Sequence, residues 1–210
     1  MNKNIKVAVI LMLLIFMIGC TDNQKNESEN KTTAEVTQGV NQLTTEQLLE
    51  KIRKISSKYP EEKYIEVDGY KISEREIEIA MLYGRTKEEA IQWRLSSLKR
   101  GDGIRRVSSD FENVIPSEEE VYEYKELIMP STSNLSGDDL EIFLLTSGFS
   151  SYDEYLNSEK TFSSVELMLI EKNIIETLKK VEMDSNITDL EATENAKEKL
   201  EELIEKELNN

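Results

Sequence analysis

One thiol, on Cys20, and 42 carboxylates are the side chains that first suggest chemistry in this 210-residue chain, which has no histidine. Zinc sites of the usual Cys and His ligands, Ser-His-Asp triads and Cys-His dyads therefore cannot be assembled. A single cysteine also excludes an intramolecular disulfide. The carboxylates could supply acid and base in principle, yet no spacing singles out one pair. Neither a D-x-[DN]-x-[DN]-G calcium loop nor a phosphate-cradling glycine loop occurs. The expectation is a protein that is not an enzyme and takes no metal or cofactor.

The setting of the thiol is more specific. Lys3 and Lys6 precede an unbroken apolar run of 12 residues, Val7 to Ile18, followed by Gly19 and Cys20. A membrane span needs about 20 apolar residues and a signal h-region only about 7–15, so residues 1–19 are expected to be a secretion signal. The ending Met17-Ile18-Gly19-Cys20 resembles a bacterial lipoprotein lipobox, although Leu is commoner than Met at its first position. The resemblance implies diacylglycerol on the Cys20 thiol, possible because a thiolate is a strong nucleophile and Gly19 leaves room beside it. Cys20 is then the lipid attachment site of a palmitate-type anchor, and the chain sits on the extracytoplasmic face of the cell membrane. The alternative is an ordinary signal peptide with an incidental cysteine.

Cleavage after residue 19 removes Lys3 and Lys6, leaving 24 basic against 42 acidic side chains, a net charge of −18. Such a surface repels nucleic-acid phosphates and anionic headgroups, so neither is an expected partner of the body, and it attracts cationic peptides. Residues 20–43 comprise the anchor and a polar stretch, TDNQKNESENKTTAEVTQGVNQL, with too little apolar surface to fold and a reach of roughly 25 Å.

From Thr44 helical patterning takes over. Thr44 and Gln47 form a capping box ahead of Leu48, Leu49, Ile52 and Ile55, and Pro60 ends that helix near Lys58. Tyr64 to Ile72 alternates about Asp68-Gly69, which predicts a β-hairpin. Ser73 with Glu76 opens a short helix with Ile77, Ala80 and Met81 inward, ended by Gly84. A third helix runs from Thr86 to Arg100 and should stop at Gly101-Asp102-Gly103. The basic run Arg94, Lys99, Arg100, Arg105 and Arg106 is expected to pair with acidic helices, or else to dock on anionic lipid.

Further starts are read at Ser117 with Glu120, at Asp138, at Ser151 with Glu154, at Ser163 with Glu166, and at Thr188 with Glu191. The stripe from Ser163 to Val181 is wide enough to be contacted on two sides, as a central strut. The last helix carries a narrow seam of Ala196, Leu200, Leu203, Ile204 and Leu208, which could pack on the body, pair as a coiled coil or wait for a partner.

The order of these pieces resembles the SurA/PrsA-type N-terminal chaperone domain. Ile65-Glu66-Val67-Asp68-Gly69-Tyr70-Lys71-Ile72-Ser73 with Glu76 is similar to its V-[ND]-G-x-x-I-[ST]-x-x-E opening. Glu89-Ala90-Ile91 with Leu95, Val114-Ile115-Pro116-Ser117-Glu118-Glu119-Glu120-Val121, Phe149 to Leu156 and the strut follow in the family's sequence, over Tyr64 to Val181. Family foldases usually add a parvulin domain of about a hundred residues, for which this chain has no room. The resemblance thus implies the helical client-binding module without isomerase activity.

The expected fold class is mainly α, a helical SurA N-terminal-like domain over 44–182 with one short β-hairpin, plus a C-terminal helix over 183–210. The leading expectation for function is a membrane-tethered, non-catalytic, chaperone-like binder of unfolded or exported polypeptides, its groove lying between the hairpin helices and the strut. Candidate client-binding residues are Tyr64, Tyr70, Met81, Trp93 and Phe143, although core packing is the commoner fate of such side chains. The competing expectation is a binding or immunity lipoprotein that sequesters a cationic peptide at the membrane.

Overall fold

The computed structural model describes residues 43–128, 135, 137–182 and 188–209. Cys20, the expected signal, nearly all of the tether and most of the 130–136 loop lie outside the described residues. The described chain is mainly helical, with one two-stranded antiparallel hairpin and a C-terminal helix, as the patterning predicts. It divides into two compact units, the first break falling between Ser97 and Leu98 inside a helix.

The first unit begins with α1 (Thr45–Lys58), capped reciprocally: Thr44 Oγ1 accepts from the Gln47 N–H at 3.2 Å, and Gln47 Oε1 accepts from the Thr44 N–H at 2.9 Å. Strands β1 (Tyr64–Val67) and β2 (Tyr70–Ser73) pair with Val67 opposite Tyr70 and Ile65 opposite Ile72. Between them Asp68 and Gly69 take φ of 53° and 80°, as a tight two-residue turn requires. Helix α2 (Glu74–Leu82) leaves β2 without a linker, and the Glu76 N–H donates to Ser73 Oγ. The Glu76 carboxylate accepts from Arg94 Nε at 2.7 Å on α3 (Lys87–Ser108).

Helix α5 (Asp138–Ser147) packs on α1 through Ile142 against Leu48, Leu49 and Ile52, and Arg53 grips Glu141 with two hydrogen bonds of 2.7 and 2.6 Å at the rim. It ends at Gly148, whose φ of 93° is a left-handed cap. A Cβ there would run into the guanidinium of Arg75, a buried side chain that donates to the Leu145 carbonyl at 3.2 Å and to Glu62 at 2.6 Å. Arg75 thus pins the start of α2 to the end of α5. Short helix α6 (Tyr152–Asn157) inserts Tyr155 between Phe143 and Phe149, edge to face at 5.0 and 5.3 Å.

The second unit contains α3 from Leu98 onward, α4 (Glu118–Ile128), α7 (Glu159–Glu182) and α8 (Asp189–Asn209). Its core joins Ile104 and Val107 of α3 to Ile170, Ile174 and Leu178 of α7 and Ala196, Leu200 and Ile204 of α8. The seam of the last helix is therefore packed within this unit. Arg100 binds both long helices, reaching Glu171 at 2.9 Å and Glu201 at 2.6 Å. The basic run is engaged by acidic partners at Arg94, Arg100 and Arg106.

Two boundaries depart from the sequence reading. Helix α3 does not stop at Gly101-Asp102-Gly103 but continues to Ser108. The glycines are there for close approach: a Cβ would lie 3.1 Å from Leu167 Cδ2 at Gly101 and 2.6 Å from Ile204 Cγ2 at Gly103. Helix α7 starts at Glu159 instead of Ser163, because Ser158 Oγ accepts from the Thr161 N–H at 3.0 Å and caps it a turn earlier.

Candidate functional site

The first unit carries an open groove of about 580 Å³ between the C-terminal half of α1, β1 and α2. Its apolar lining is Ile55, Ile65, Ile77, Met81 and Leu82. Each continues a pattern that builds the core elsewhere. Ile55 extends the α1 stripe one turn past Ile52 and is only half-buried, while Ile65 is the half-buried face of β1. Met81, at the open end of α2, is 42% exposed. Apolar stripes longer than the core they serve leave a concave, partly wet surface.

The rim is charged: Lys58, Lys63 and Lys87 face Glu74 and Glu78, with Tyr59 between. Lys58 Nζ and Tyr59 OH both donate to Glu78 Oε1, the second at 2.7 Å. Partial burial works against the Glu78 charge, but these two hydrogen bonds and the Lys58 and Lys87 ammonium groups outweigh it and hold the carboxyl below its ordinary 4.5. Burial first, and then the bond to Glu78, pushes the Tyr59 phenol above 10.0. The network fixes one wall as a neutralised cluster.

Of the five candidate contact residues, only Met81 lines this groove. Tyr64 is 54% exposed on β1, where alternation turns it to the face opposite Ile65. Tyr70 is half-buried opposite Val67. Trp93 is half-buried on α3 beneath the Arg85 guanidinium, 4.4 Å from its ring. Phe143 is fully buried at 0% exposure against Tyr155, so it is a core residue and not a contact residue. The lining comes from α1, β1 and α2 with Lys63 and Lys87 beside them, all within the first unit. Ile55 is legible as the end of a helical stripe and Ile65 as part of an alternating strand, but nothing local to either says that they converge, and Lys63 carries no such signal.

Among the described residues no group of His, Cys, Asp or Glu is arranged to hold a metal ion, and no helix is long and apolar enough to cross a membrane. Compared with protein-family models, curated proteins and solved structures, the chain matches none.

Proposed function

We propose that this chain is a non-catalytic, chaperone-like binder of exported polypeptides, tethered through lipid on Cys20 to the outer face of the cell membrane. The observation that carries the reading is the open apolar groove, whose Met81 offers a soft, adaptable side chain at the surface. A client segment would bury its side chains there reversibly, while the acidic exterior, at −16 for the whole chain, keeps the complex soluble. The SurA/PrsA-like order of hairpin and helices supports the same reading.

Added to an aggregating unfolded substrate, the protein is expected to lower light scattering at stoichiometric excess. Met81→Glu, which charges the groove at an exposed position, should weaken that effect at an unchanged melting temperature. Scattering unaltered by the wild-type protein would reject the proposal. The acidic surplus favours a second reading, sequestration of a cationic peptide. Salt separates the two, because charge-driven binding weakens steeply as ionic strength rises and apolar binding does not.

A further inference from the structure

Resting on the groove as a polypeptide site, we infer that it selects extended apolar segments that carry acidic side chains. The chain as a whole has 42 acidic and 26 basic side chains, yet this groove reverses the balance with three lysines to two glutamates. Lys58 is bound to Glu78 and Lys87 acts on the same carboxylate through space, but neither Lys63 nor Lys87 forms a salt bridge among the described residues. Two ammonium groups without a salt-bridge contact thus stand at the edge of an apolar trough, where a carboxylate flanking buried side chains would find them.

The strand β1 forms one wall, and no strand pairs with its outer side among the described residues. An extended segment suits such a wall better than a preformed helix. The volume of about 580 Å³ holds a few side chains, in the range of ligand pockets, and not a folded domain. An anionic bilayer is a poorer match. Clusters that read membranes carry about 4–8 basic side chains, and the net charge of −16 repels such a surface.

The test uses purified full-length protein and three fluorescent peptides that share one apolar sequence and are flanked by Glu, Gln or Lys. The Glu peptide should bind about fivefold tighter than the Gln peptide and the Lys peptide weakest, with the differences shrinking in high salt. In a Lys63→Glu, Lys87→Glu double variant, shown by circular dichroism to be folded, the order should reverse. Equal affinities, or a preference for the Lys peptide in the wild type, would overturn this selectivity while leaving polypeptide binding intact. No binding of any peptide would remove both. Displacement of the Glu peptide by phosphatidylglycerol vesicles, but not by phosphatidylcholine vesicles, would assign the lysines to a headgroup and likewise overturn it.

Discussion

At Gly103 the absent side chain is what lets two helices meet. Its missing Cβ leaves room for Ile204, whose methyl would otherwise sit 2.6 Å away. Alanine gains about 1 kcal/mol of helix propensity over glycine. The overlap should outweigh that gain, because Ile204 is branched at Cβ and has few rotamers with which to yield. Gly103→Ala is expected to destabilise by up to about 2 kcal/mol net, the overpacking cost less the propensity gain, seen as a lower urea midpoint at unchanged slope. A higher midpoint would show that α3 and α8 do not approach as described. Gly103 also shows where sequence reasoning stops. A glycine that ends a helix and one that admits a neighbouring helix look alike locally, and only the partner, about a hundred positions away, decides between them. Phe143 carries the same lesson: helical spacing marks it as apolar and inward-facing, but not as the residue that Tyr155 seals.

At the scale of elements, the helix starts were the most legible features, since a cap is chemistry within four residues. Thr44 with Gln47 and Ser117 with Glu120 form the reciprocal bonds their spacing predicts. The hairpin was legible for the same reason, with Asp68 and Gly69 both at positive φ. The start of α7 was not, because two serines compete and the earlier one, Ser158, wins.

These caps make stability depend on pH. Backbone N–H groups of Thr86 and Ser117 hold Glu89 and Glu120 below 4.5, and the Ser150 hydroxyl and N–H do the same for Glu154. A carboxyl depressed in the folded state contributes stability above its unfolded value, and that contribution is lost as pH falls through the folded value. The thermal midpoint should therefore drop as pH is lowered from about 4.5 towards 3, followed by circular dichroism. A Glu89→Gln, Glu120→Gln, Glu154→Gln variant whose midpoint fell as far as the wild type's over that interval would mean these carboxylates do not serve as caps.

For the whole molecule, the distribution of charge and apolar surface separates where the protein is held from how it works. Residues 1–20 supply the proposed address, and Cys20→Ser should abolish incorporation of labelled palmitate and release the chain from membranes. Label retained by that variant would place the anchor elsewhere. The body carries its cores inside two units, and the apolar surface of the groove is what the α1 stripe, β1 and α2 leave over. Its location was not legible from any one segment, because Ile55, Ile65 and Met81 belong to three elements whose convergence is a property of the fold.

The central claim, that this groove receives extended polypeptide, is tested most directly by titrating the isotope-labelled protein with an extended apolar peptide and following its amide and methyl resonances. The account predicts saturable shifts concentrated at Ile55, Ile65, Ile77 and Met81. Shifts confined to residues outside the groove, or none at saturating peptide, would contradict it.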